Sequence, residues 1–348
     1  MFRAVLKSVL AGRSPSLDLL LEGADAHSHP SPSTVYPAPT SNARTPFESG
    51  LPREQISMMN LNAAQKRQVA RRMVPLMWNM RLGVALYDRP VRPTQQEATP
   101  EFLAGLGALA RELGAKDFGY VQVPHDAVFK DKSIPYDSAL VFTVEMDQDA
   151  IDTAPSLDCQ LEVMDGYGRM AFIARKLALH LRAAGFAAYP GTALGGVTDY
   201  PQLAELAGLG AIGYHGLLIT PGEGARVRLN TVYTNISNLP ISQQNEHLWV
   251  RDFCDRCRKC VRSCPAEAIF QQPQARGNGG QQCIDHGKCR DYFTQNFGCA
   301  VCVKVCPFSQ AGYERVKAGF RSHPGAPQYR ISPGAEFPWA GLEAHHER

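Results

Sequence analysis

Apolar positions recur with a helical period over residues 61–80. Leu61, Ala64, Val69, Met73, Leu76, Met77 and Met80 outline one face of an amphipathic helix there. Residues 101–113 predict a second helix that ends near Gly114. Two short apolar and β-branched runs, Phe118–Val123 and Ala139–Val144, have helix-breaking flanks and predict strands. A long helix is expected over 168–184. Ala171, Ile173, Ala174, Leu177, Ala178 and Leu181 share one face, Gly185 stops the run, and Tyr167 stands just ahead of it. Val227–Thr234 predicts a further strand. Strands interleaved with helices up to about residue 245 imply an α/β domain.

The pattern fades at both ends. Residues 23–56 are rich in Pro, Ser, His and Thr and predict an irregular arm. The stretch after Phe320 is rich in Pro, Gly and His and is expected to be a surface tail. The expected organisation is an arm over 1–60, the α/β domain over 61–245, a smaller domain over 246–320 and a tail over 321–348. In the smaller domain cysteine replaces much of the apolar core.

Composition adds little to this outline. A length of 348 residues favours more than one domain, and a 44% hydrophobic fraction supports an ordinary buried core. The formal charge of +3 gives no reason to expect nucleic acid or a membrane surface as partner. No run of about 18 apolar residues occurs, so no transmembrane helix is expected. The first apolar run is broken by Lys7 and Arg13 and lacks a small-residue cleavage site, so a secretory signal is not expected. The pair Arg71–Arg72 lies deep in the chain and reads as the polar face of a helix. These features together predict a cytoplasmic protein.

The cysteines carry the chemistry. Nine of the ten lie between residues 254 and 306. Cys254, Cys257, Cys260 and Cys264 precede Pro265 in a C-x2-C-x2-C-x3-C-P run, and Cys289, Cys299, Cys302 and Cys306 precede Pro307 in a C-x9-C-x2-C-x3-C-P run. This is the spacing of two four-iron clusters in a small α+β fold of the bacterial ferredoxin kind. In that arrangement the cysteine before each proline crosses to the other cluster. One set is therefore Cys254, Cys257, Cys260 and Cys306; the other is Cys264, Cys289, Cys299 and Cys302. The long step from Cys289 to Cys299 is expected to be bridged by a loop, Arg290–Gly298. The alternative is a pair of structural zinc sites, which four cysteines also suit. Cys159 reads as a small core or surface residue, and Cys283 is a substitute candidate for Cys289.

The segment ahead of the cysteines runs Ala207-Gly208-Leu209-Gly210-Ala211-Ile212-Gly213-Tyr214-His215-Gly216-Leu217-Leu218-Ile219-Thr220-Pro221. It continues as Gly224-Ala225-Arg226-Val227-Arg228-Leu229. This stretch, followed by a two-cluster module, resembles the corrinoid-dependent reductive dehalogenases and their relatives the epoxyqueuosine reductases. Lys288-Cys289-Arg290-Asp291-Tyr292-Phe293, Gly298-Cys299 and Cys306-Pro307-Phe308-Ser309 are similar to the family's second cluster motif. The resemblance implies a nitroreductase-like α/β domain that holds cobalamin or another corrinoid beside one cluster. Gly208, Gly210, Gly213, Tyr214, Gly216, Thr220 and Arg228 are the corrinoid contacts it implies. The residues themselves allow a second reading, in which these glycines shape tight turns with no ligand.

The resemblance also implies a tyrosine proton donor assisted by a cation, and Tyr167 is the candidate. The family's usual Lys or Arg after Gly213 is replaced here by Tyr214 and His215, so the expected cation is an imidazolium at His215 or a nearby Arg. Asp199-Tyr200-Pro201-Gln202-Leu203-Ala204-Glu205 matches the epoxyqueuosine reductase pattern only in part, and Asp199 reads as a helix N-cap. The leading expectation is a reductive dehalogenase-type reductase that takes electrons from a ferredoxin, flavodoxin or reductase and acts on a small organic substrate. An epoxyqueuosine reductase-like enzyme and a non-catalytic electron carrier are the alternatives.

Overall fold

The computed structural model describes residues 36–37, 44, 50–242, 244–275 and 281–321. Most of the expected arm and nearly all of the expected tail lie outside the described residues. The first half holds α1 (Ala63–Val84), α2 (Pro100–Glu112), β1 (Phe118–Gln122), β2 (Ser138–Glu145) and α3 (Leu157–Ala183). It continues through β3 (Ala188–Pro190), α4 (Tyr200–Leu206), β4 (Ala211–Ile212), β5 (Leu218–Ile219) and β6 (Val227–Thr234). The second half holds α5 (Trp249–Cys257), α6 (Lys259–Ser263), β7 (Ile269–Ala275), β8 (Gln281–Ile284) and α7 (His286–Gln295). It ends with α8 (Val301–Lys304), α9 (Pro307–Gln310) and α10 (Tyr313–Arg321).

The main sheet has the order β1-β2-β6-β3, and every pair in it is antiparallel. The fold is thus mixed α/β, with helices flanking an antiparallel sheet. β2 and β6 pair along their full eight residues, from Ser138↔Thr234 to Glu145↔Val227. Seven of the eight β2 positions are buried, as a central strand covered on both faces requires.

Local chemistry sets the helix starts. Asn62 caps α1 in a reciprocal capping box with Gln65, and Thr99 caps α2 with Pro100 at the first helical position. α3 starts well before the expected 168, because Ser156 accepts the Cys159 backbone N–H and nucleates the turn there. Tyr167 therefore lies inside α3 rather than ahead of it. Gly166 and Gly168 hid the early turns from the apolar pattern. α1 and α3 run side by side in the same direction, tied by Arg72 to Asp165, Arg175 to Asn79 and Arg182 to the Leu86 carbonyl.

The principal core lies between α3, the sheet and α1, with Leu76, Leu106, Leu140, Phe142, Ile173 and Leu177 at its centre. A second core is assembled differently. Phe253, Phe308, Tyr313 and Val316 share it with Cys159, Cys254, Cys257 and Cys306. Tyr167 packs against both cores. No described helix is long and apolar enough to cross a membrane.

Candidate iron–sulfur and tyrosine site

The first cysteine run is carried on two short helices. Cys254 and Cys257 lie on α5, which Arg258 ends in the left-handed conformation at φ 46°, and Cys260 lies on α6 just beyond that reversal. Cys306 stands at the N-cap of α9, where Pro307 begins the helix. Cys254, Cys257, Cys260 and Cys306 line one recess, walled by Tyr214, His215, Phe253 and Phe308. Burial and the neighbouring thiols hold the Cys254 and Cys260 thiols well above the ordinary range.

The second set is more open. Cys264 closes α6, Cys289 lies in the first turns of α7, Cys299 sits at φ 47° and Cys302 lies on α8. The expected loop over Arg290–Gly298 is mostly helix. Asp285 caps α7 by accepting the Gly287 and Lys288 backbone N–H groups, which carries the chain as helix through Gln295. Burial first, and then the neighbouring thiols, push up the thiols of Cys289, Cys299 and Cys302, and Cys264 is a neighbour of all three. Each run thus sends its last cysteine to the other set.

Among the described residues, no three His, Cys, Asp or Glu donors converge as a single metal ion requires. The first four sulfurs instead border a shared recess, as the ligands of a polynuclear centre do. Soft thiolates are the right donors, and cationic iron offsets the cost of ionising buried, crowded thiols. The donor sets fit two iron–sulfur clusters. Cys283 lies on β8 against Gly213, its Sγ 3.7 Å from the Gly213 carbonyl oxygen, beside the first set. It does not stand in for Cys289.

The residues singled out for a corrinoid are mostly occupied by the fold. Gly208 and Gly216 adopt positive φ at turns. A Cβ on Gly210 or Gly213 would strike Ile219, so these two glycines serve the β4–β5 hairpin. The Thr220 hydroxyl accepts the Glu223 N–H, and Tyr214 donates to Asp255. Asp199 caps α4 by accepting the Gln202 N–H.

Arg228 is different. It projects from β6 to α3, where Nη1 donates to the Tyr167 hydroxyl at 3.3 Å and the guanidinium lies 4.8 Å from the ring centroid. Gly166 makes this approach possible, since a Cβ there would stand 3.2 Å from Arg228 Cγ. The imidazolium expected at His215 is corrected. His215 is 4% exposed, burial pushes its pKa down to about 4, and it faces the first cysteine set rather than Tyr167. The cation beside Tyr167 is Arg228. A nearby Arg is among the expected cations, but nothing in the sequence singles out Arg228, because residues 61 positions apart meet only through the α3–β6 packing. Cys159, two turns before Tyr167, lies within electrostatic reach of both Arg228 and Cys299. The first turn of α3 also meets the second set where Gly298, next to Cys299, abuts Gln160.

Two buried polar atoms near this pair have no partner, Arg228 Nε and Thr192 Oγ1. Thr192 lines a recess with Ala171, one helical turn beyond Tyr167. Orphaned donors of this kind suit the amide-fringed rim of a corrinoid.

A family model described as a 4Fe-4S dicluster domain matches residues 253–310. The chain is 34% identical over 215 residues to the tetrachloroethene reductive dehalogenase of Dehalobacter restrictus, covering 57% of this chain and 37% of that protein. It is 31% identical over 126 residues to an epoxyqueuosine reductase of Francisella cf. novicida, covering 31% of each. In three dimensions it is similar to a variant of the catabolic reductive dehalogenase NpRdhA, with a TM-score of 0.61 and 21% identity, over 81% of this chain and 43% of that one. That likeness establishes a shared fold. The chain spans little more than a third of the curated dehalogenase's length. The chain is therefore a relative of the reductive dehalogenase and epoxyqueuosine reductase superfamily, and it stands closer to the reductive dehalogenases.

Proposed function

We propose that the chain is a corrinoid-dependent iron–sulfur reductase of the reductive dehalogenase type, removing a halogen or other leaving group from a small organic substrate. The observation that carries this reading is the Tyr167–Arg228 pair on α3, the helix whose first turn meets the second cysteine group where Gly298 abuts Gln160. Cys254, Cys257, Cys260 and Cys306 would hold one four-iron cluster, and Cys264, Cys289, Cys299 and Cys302 the other. When bound, the clusters supply single electrons and the corrinoid supplies a strongly nucleophilic metal.

The protein's own part is positioning and proton delivery. Arginine only donates, so the Tyr167 oxygen accepts from Arg228 and its own O–H proton remains available to a substrate carbon. The guanidinium stabilises the phenolate left behind. Gly166 leaves room for the Arg228 side chain beside α3, and both cores pack against Tyr167, which limits its freedom. Electrons would come from a low-potential ferredoxin, flavodoxin or reductase. They would pass through the two clusters in turn toward the pair. A cytoplasmic location accords with this redox chemistry.

The test is a metal and turnover analysis of protein made anaerobically in corrinoid-supplied cells. Eight irons, about one cobalt and consumption of halogenated organics with reduced methyl viologen are expected. Full iron with no retained cobalt would remove the corrinoid from the scheme. Donor oxidation only after addition of a second protein would make the chain a carrier. Epoxyqueuosine reduction has no support from Asp199, whose carboxylate is spent on capping α4.

A further inference from the structure

His215 holds an unused hydrogen-bond donor in the wall of the first cysteine recess. The turn that carries it is tightly specified: Gly213 N–H donates to the Leu217 carbonyl at 3.0 Å, and Gly216 N–H to the Gly213 carbonyl at 2.9 Å. Within that turn the Leu217 N–H donates to His215 Nδ1 at 3.1 Å. A nitrogen that accepts carries no hydrogen, so the ring is the neutral tautomer with its proton on Nε2. Nε2 is buried and has no partner. A buried N–H left unpaired is costly, and the fold keeps this one.

The other polar side chains of the recess are committed elsewhere. Tyr214 donates its hydroxyl to Asp255 Oδ1 at 2.8 Å, and Arg258 reaches the same oxygen at 2.8 Å. Phe253 and Phe308 supply apolar wall. The same turn already offers a backbone N–H from Tyr214 to the Cys254 sulfur. His215 Nε2 is therefore the side-chain donor among the described lining residues that has no partner.

We propose that His215 Nε2–H donates a hydrogen bond to sulfur of the four-iron centre held by Cys254, Cys257, Cys260 and Cys306, and thereby raises that centre's reduction potential. The inference rests on the two-cluster reading above. Uptake of one electron from a low-potential donor adds one unit of negative charge to the centre and requires no proton. An N–H aimed at its sulfur binds the more negative, reduced form more strongly and so favours electron entry.

The experiment is an EPR-monitored dithionite titration of the iron-loaded full chain, comparing wild type with His215→Phe and His215→Gln. In His215→Phe the reduction constant of one centre should fall about tenfold, 59 mV for a one-electron couple, with the other centre unmoved. Glutamine keeps an N–H and should restore part of the shift. Pulsed EPR of reduced wild-type protein labelled with 15N-histidine should show a nitrogen coupling and an exchangeable proton. Eight irons with unmoved potentials, or no nitrogen coupling in the wild type, overturn the assignment. If His215→Phe fails to hold iron, the wild-type coupling decides alone. A wild-type chain that binds no iron overturns the cluster reading first and this inference with it.

Discussion

The two halves of the molecule reach a buried core by different means. Around α3 the core is hydrocarbon: Leu76, Leu106, Leu140, Phe142, Ile173 and Leu177 interlock against one face of the sheet. Between α5 and α10 the helices are short, four to ten residues, and cysteine thiols occupy positions that side-chain hydrocarbon fills in the first half. Helices of that length are marginal alone. The difference teaches that the first half is held by burial and the second by valence.

The strongest way to break the comparison is to withhold iron. Protein prepared without it should lose amide protection across 249–310 within seconds of hydrogen exchange, while α3 and β2 stay protected. Uniform protection would mean that the second half folds without its metal. Next in size is Tyr167→Phe at the seam between the cores. Turnover should fall about 10²–10⁴-fold, with iron content and thermal midpoint unchanged. An unaltered rate would take the phenol out of the reaction. In the hydrocarbon half, Leu177→Ala should cost about 2–5 kcal/mol in chemical denaturation while leaving bound iron intact. Loss of iron in that variant would show that the halves are not separable. The smallest effect is expected at Ser156→Ala, about 1 kcal/mol of stability from loss of the α3 cap, read as a lowered denaturation midpoint.

The same contrast explains what the sequence made legible. Val227–Thr234 matches β6 residue for residue, and the strands at Phe118 and Ala139 fall within one residue of β1 and β2 at every end, because period and β-branching report half-buried or buried strands directly. The start of α3 was hidden, since a single serine and two glycines set it rather than an apolar stripe. The grouping of the cysteines could be read because ligand spacing is itself a chemical constraint. α7 could not, because its start depends on the Asp285 cap and its residues bury no apolar face. Arg228 was placed with the cofactor from its stretch of sequence, but its partner Tyr167 emerges only when β6 and α3 are packed. The charge expected at His215 follows from its place after Gly213, where the resemblance implies a basic residue; burial, which depends on the packed turn, keeps the ring neutral.

The crossed placement of Cys264 and Cys306 has a further consequence. Cys264 lies four residues past Cys260, and Cys306 four past Cys302, so each set is anchored one helical turn from a member of the other. Filling either site stiffens the chain that must close its neighbour. Loading should thus be cooperative within each molecule: when iron is scarce, the population divides into complete and empty chains, with few half-filled ones.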